Sequence, residues 1–174
     1  TLVTALSVPQ VISAAPSPAK LSGIKEIVAS PGFWGGSSFA VRTDGTVWSW
    51  GSNVFGQFAN GAAGPEGWTI TPHKIAGLEH TKQLAIGEPY YVALNEDGTV
   101  KAWGDYRDKS VAEAGNGASA KQHKVLLPQG ISGMTDVVSI TSGLHSALAL
   151  RNDGSLLQWN PPEASDVGYT ELPA

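Results

Sequence analysis

The chain has 174 residues, a formal net charge of −4 and no cysteine. That length suits one domain of ordinary size, and the lack of cysteine excludes disulfides, thiolate metal sites and a Cys nucleophile. The acidic balance argues against a nucleic-acid backbone as partner, which draws a basic stripe, and no apolar run is long enough to insert across a bilayer.

With 41% hydrophobic and only 15% charged residues, the sequence can bury a core. Its 21 Gly, 11 Pro and 6 Trp suit short strands joined by tight turns. Residues 1–19 precede the first charge, Lys20, and form an Ala/Ser/Pro/Val tract. They read as an N-terminal segment: a linker, the mature end of an exported chain, or a strand that completes a neighbouring sheet. The basic start of a signal peptide is not there.

From residue 20 onward the chain repeats itself. Leu21-Ser-Gly-Ile24 returns as Ile75-Ala-Gly-Leu78 and as Ile131-Ser-Gly-Met134. An apolar strand follows each, at Ile27 to Ala29, Leu84 to Ile86 and Val137 to Ile140. Next comes a hairpin: Phe39 to Gly51, then Val92 to Gly104, then Leu148 to Asn160. Its Asp-Gly pairs stand at 44/45, 97/98 and 153/154, spacings of 53 and 56 residues, and Trp50, Trp103 and Trp159 repeat the same spacings.

Asp-Gly between two β-favouring runs signals a type I′ turn, in which both central residues take φ > 0. The Gly after Trp50 and after Trp103 lets the chain bend beside a large indole. Each copy therefore reads as strand, loop, strand, turn, strand, then a variable loop and a fourth strand. Three such copies, at approximately 20–61, 62–117 and 118–174, predict an all-β chain of β-propeller blades. A three-blade arc leaves apolar faces open at its ends, so the expectation is a partial propeller, or a ring completed by self-association.

The pattern resembles the repeat of the regulator of chromosome condensation family. Two stretches carry the likeness: Ser-Gly-Leu-His-Ser-Ala-Leu-Ala-Leu at 142–150, and Trp50-Gly51-Ser52-Asn53-Val54-Phe55-Gly56-Gln57. The resemblance covers roughly residues 20–160 and implies a propeller fold. Only the first copy keeps the Asn-x-x-Gly-Gln tail; the second has Asp105-Tyr-Arg-Asp108 and the third Asn160-Pro161-Pro162. Bacterial secreted members of the family, such as a propeller-type β-lactamase inhibitor, are similar in using aromatic loops on one face. Eukaryotic members that act as exchange factors on small GTPases need a wedge insertion, for which the chain offers no candidate.

No constellation for catalysis emerges, so the expectation is a chain that is not an enzyme and needs no cofactor. Gly51 to Gly56 has the glycine spacing of a phosphate loop, but Gln57 replaces its Lys, and a corner turn explains it better. His73, His80, His123 and His145 fall in different loops without metal-ligand spacing. Asp105 and Asp108 flank a charged turn and read as surface. Asp44, Asp97 and Asp153 are accounted for by turn geometry.

The loops that follow the upstream strands are where binding is expected. They offer Phe33 and Trp34, then Tyr90 and Tyr91, then His145. Tyr106, and Trp68 in the insertion Asn60 to Thr71, complete the candidate contacts. Aromatic residues presented by Gly/Pro turns on a rigid scaffold have the composition of a binding hot spot. The first expectation is protein binding by an exported or cell-surface bacterial protein. A carbohydrate stacked on Trp and Tyr is the alternative, and a second copy of the chain the third.

Overall fold

The computed structural model describes residues 20–30, 32, 36–64, 67–87, 89–107, 122–143, 146–160 and 169–172, with backbone alone at Tyr106, Arg107, Gln122 and His123. Strands β1 (Ile24–Ser30), β2 (Ser37–Arg42), β3 (Val47–Gly51) and β4 (Thr69–Lys74) form the first sheet, in that order. Strands β5 (Thr81–Ile86), β6 (Tyr90–Asn95), β7 (Val100–Arg107) and β8 (Gln122–Gly130) form the second. The third holds β9 (Val137–Ser142), β10 (Ala147–Arg151), β11 (Leu156–Trp159) and β12 (Tyr169–Glu171). All pairings are antiparallel. Each sheet is thus a four-stranded meander, the unit expected of one blade.

The fourth strands move the blade limits downstream of those expected. The first two sheets end at Lys74 and Gly130, not near residues 61 and 117. The linker to each next blade is the Ile-x-Gly-hydrophobic motif. Ile75 N–H bonds the Val47 carbonyl (2.8 Å) and Ile131 N–H bonds that of Val100 (2.9 Å). Gly77 and Gly133 turn the chain with φ of 82° and 77°.

The hairpin turns differ from the type I′ expectation. Gly45, Gly98 and Gly154 have φ of 78°, 80° and 86°, whereas no turn Asp has a positive φ. Gly45 N–H bonds the Arg42 carbonyl, and Arg42 N–H bonds the Thr46 carbonyl (both 2.9 Å). The loop is therefore three residues, a type I turn closed by a left-handed Gly. The physical reason is the Asp side chain. Asp44 Oδ1 accepts from Thr46 N–H (3.0 Å) and Thr46 Oγ1 (2.6 Å), Asp97 does the same with Thr99, and Asp153 with Ser155. Those bonds depress all three carboxyl pKa values below the usual range.

Blades join through their first strands and through their faces. Glu26 on β1 accepts the Leu84 N–H of β5 (3.2 Å). One blade later Gln83 bonds Ile140 twice, accepting its N–H (3.0 Å) and donating to its carbonyl (2.9 Å). Between the first two sheets lie Phe39, Val41, Val47, Ile75 and Leu78 on one side and Leu84, Tyr91, Ala93 and Trp103 on the other. Between the second and third lie Val92, Leu94, Val100, Ile131 and Met134 against Ile140, Ala149, Leu157 and Trp159. Full burial contributes about 1.5–3 kcal/mol for each large aliphatic or Phe side chain. Trp103 and Trp159 are buried as expected, but Trp50 is only half-buried, because no described blade packs over its face.

Candidate functional site

The first blade carries a long connection between β3 and β4, and its own polar residues fold it. Gly51 has φ 101°, and a Cβ there would lie 2.5 Å from the Gly36 carbonyl, so only glycine lets the chain bend at this point. Asn53 is buried and used from both ends: Oδ1 accepts Phe58 N–H (2.9 Å) and Nδ2 donates to the Ala62 carbonyl (3.1 Å). Buried Gln57 accepts Phe55 N–H (2.8 Å), while its backbone carbonyl accepts the Trp103 indole N–H (3.2 Å). The glycine spacing from 51 to 56 thus serves a corner turn. Gly61 N–H bonds the Leu126 carbonyl of β8 (3.0 Å), which rests the loop on the second blade.

This loop delivers Trp68 to the start of β4, with the side chain 63% exposed. Ile70, two residues on, is 74% exposed. Ile70 lies on β4, the outermost strand of its sheet, which among the described residues pairs only with β3. On the second blade's outermost strand, Leu127 is 54% exposed. The loop spans the interval, since Gly67 packs on Asn53 and Gly56 on Leu126. Exposed apolar side chains therefore stand at the start of β4 and on β8, in a stretch of β4 that also carries Thr69, Thr71 and Lys74.

Two candidate aromatics are corrected by their burial. Tyr90 and Tyr91 are 1% and 0% exposed. The turn before them is tight, with Gly87 N–H bonding the Tyr90 carbonyl (3.0 Å), so β6 begins at Tyr90 itself. Consecutive strand residues point to opposite faces. Tyr90 meets Trp159 edge to face at 5.4 Å and donates its hydroxyl to the Gly143 carbonyl (2.7 Å). Burial pushes that phenol's pKa well above its usual value. Tyr91 lies between Phe39 (5.5 Å) and Trp103 (5.6 Å). Both tyrosines cement neighbouring blades.

Phe33, Trp34 and His145 lie outside the described residues, and of Tyr106 only the backbone, in β7, is described. Asp105 is buried with the Lys124 ammonium 3.8 Å away, and Asp108 lies outside the described residues. Among the described residues no three His, Asp or Glu side chains gather where a metal ion could bind. Sequence reasoning placed Trp68 among the contacts but passed over Ile70 and Leu127. The signal for Ile70 was its spacing from Trp68, since residues two apart on a strand share a face.

Comparison with known proteins agrees with this architecture. The family model described as the regulator of chromosome condensation (RCC1) repeat matches residues 34–57. Protein pim1 of Schizosaccharomyces pombe is 33% identical over 75% of this chain and 26% of its own length. The RCC1 domain-containing protein RUG3, mitochondrial, of Arabidopsis thaliana is 29% identical over 90% of this chain and 34% of its own length. Prp20p of Saccharomyces cerevisiae superposes with a TM-score of 0.66 at 20% identity, covering 88% of this chain and 39% of that one, a likeness of fold. The chain thus spans between a quarter and two fifths of these proteins. All three are eukaryotic and one is named as mitochondrial, which overturns the expected secreted or cell-surface bacterial location.

Proposed function

Because the chain belongs to the regulator of chromosome condensation repeat family, we propose that it is a non-catalytic protein-binding module whose contact surface is centred on Trp68. The observation that carries this reading is the exposed pair of Trp68, at the end of the loop before the edge strand β4, and Ile70 within that strand. An exposed aromatic and a branched aliphatic two residues apart, in a stretch that also carries Thr69, Thr71 and Lys74, have the make-up of an interface centre. Pro72 removes one backbone donor from the strand, so the partner is held by side chains rather than by adding a strand. Protein partners are described for a protein of the same fold, Prp20p, with binding properties to Gsp1p and histones.

A sugar platform fits less well. It needs stacked aromatics beside free amides or carboxylates, but Tyr90 and Tyr91 are spent between blades and Asn53 and Gln57 are spent inside the loop.

The test is calorimetric titration of the chain with purified Gsp1p and, separately, with core histones, using wild type and Trp68→Ala. Binding of one probe that weakens at least about tenfold in the variant, a loss of about 1.4 kcal/mol, with unchanged thermal stability, supports the reading. Binding indifferent to Trp68, or binding of neither protein alongside binding of soluble oligosaccharides, overturns it.

A further inference from the structure

The edge strand β4 carries a chemical feature that its counterpart in the next blade lacks. Against β3, Ser49 pairs with His73 and Gly51 with Thr69, so Ile70, Thr71 and Pro72 together stand opposite the single residue Trp50. The second blade repeats this bulge. Ala102 pairs with Gln129 and Gly104 with Val125, which sets Leu126, Leu127 and Pro128 opposite Trp103. The bulge and its proline thus belong to the blade. They keep the outer strand from pairing fully with its neighbour, since proline has no N–H to give. Where the second blade has Leu127-Pro128-Gln129-Gly130, however, the first has Thr71-Pro72-His73-Lys74. A hydroxyl before the proline and a cation two residues after it set the first blade apart from the second.

This hydroxyl is also held where another protein can reach it. Thr71, His73 and Lys74 are all exposed. Among the described residues β4 pairs only with β3, and the Thr71 N–H donates to the Thr69 hydroxyl (3.0 Å) rather than to β3. The chain has two other hydroxyls that precede a proline. Ser30 is buried and has Phe33, not a cation, three residues on. Ser17, in Ser17-Pro18-Ala19-Lys20, lies outside the described residues.

We propose that Thr71 is a phosphorylation site for a proline-directed protein kinase that uses ATP. Such a kinase takes its substrate as an extended segment. Proline after the hydroxyl leaves no backbone N–H to be satisfied there, and a downstream cation pairs with anionic groups of the kinase. In the transfer, Thr71 Oγ1 attacks the γ-phosphorus of ATP. The new O–P bond forms as the bond to the β-phosphate oxygen breaks, ADP leaves, and the hydroxyl proton passes to the carboxylate base of the kinase. The product brings a charge of about −1.5 to −2 to the residue beside Ile70. That this charge opposes an apolar partner at Trp68 and Ile70 rests on the function proposed above; the modification itself does not.

The experiment incubates the folded 174-residue chain, in a Ser17→Ala background, with a cyclin-dependent protein kinase and MgATP. Phosphate is mapped by mass spectrometry of fragments, and a synthetic peptide of residues 67–76 is the unfolded reference. The folded chain should take one phosphate, on Thr71, at a rate within about tenfold of the peptide, because only local release of an edge strand is needed. Thr71→Ser should keep the label, and Thr71→Ala and Pro72→Ala should lose it. Lys74→Ala, a change at an exposed position whose thermal melt should match the parent's, should slow labelling about tenfold, the worth of one charged hydrogen bond. Labelling of the folded chain about a thousandfold slower than the peptide would mean that Thr71 is reached only through global unfolding, which overturns the proposal. So does phosphate found on other residues with Thr71 left bare, a peptide that the kinase does not accept, or labelling indifferent to Lys74.

Discussion

Trp50 and Trp103 stand at the same place in two copies of the repeat, so truncating each isolates what a neighbouring blade contributes. Trp103 is fully buried, stacks on Tyr91 at 5.6 Å and donates its indole N–H to the Gln57 carbonyl. Trp103→Ala removes that packing and leaves a cavity, a loss of about 3–5 kcal/mol. It also strips the Gln57 carbonyl of its donor, which places the loss in the upper part of that range. Trp50 is half-buried. Partial exposure trims that loss, so Trp50→Ala costs less, at the lower end of the same range, about 3 kcal/mol. The assay is urea unfolding. With a slope of about 2 kcal/mol per molar, the Trp103→Ala midpoint should fall about 0.5–1 M further than that of Trp50→Ala. Equal midpoints would refute the argument that blade-to-blade burial, and not the local hairpin, sets the worth of this tryptophan.

Gly104 has φ 130°, and a Cβ there would run into the Pro89 carbonyl. Gly104→Ala should destabilise by more than about 1 kcal/mol, read by the same unfolding curve. Glu26→Gln should stabilise by about 1 kcal/mol, because the amide can both accept and donate toward Leu84, as Gln83 does toward Ile140. Burial raises the Glu26 carboxyl pKa above 4.5, so its contribution is greatest when protonated and is lost as pH rises through the folded value. Thermal melts across that window should slope downward for wild type, and Glu26→Gln should lose that part of the slope. The turn aspartates carry the opposite sign: hydrogen bonds from Thr99 lower the Asp97 pKa, so its stabilisation is present above about 3.8 and lost as pH falls through the folded value. Melts of Asp97→Asn should show a shallower loss on the acid side, and an unaltered acid limb would count against the turn geometry.

The hairpins were legible because both strands and their turn lie within a dozen residues, and the Asp-Gly-Thr or Asp-Gly-Ser chemistry is local. The linkers were legible for the same reason, as Gly77 and Gly133 show. The fourth strands were harder. Strand β4 reads Thr-Ile-Thr-Pro-His-Lys, with little alternation, and its pairing with β3 spans the loop from Ser52 to Trp68. The turn type was misjudged because the Asp side chain replaces a positive φ with hydrogen bonds to the residue two ahead. Tyr90 and Tyr91 looked like loop aromatics beside Gly87 and Pro89. Their burial depends on Phe39, Trp103 and Trp159, residues far along the chain or in other blades. One clue was available: Tyr91 stands 12 residues before Trp103, as Ser38 does before Trp50 and Ala147 before Trp159, the register of cross-strand partners.

The central claim is that a protein partner is held at the Trp68 edge of the first blade. Amide hydrogen exchange of the chain, alone and with Gsp1p or core histones, tests it most directly. The account predicts slowed exchange over residues 68–71 and little change over β6 or β10. Slowing confined to other strands, or none under conditions where the probe is bound, would contradict it.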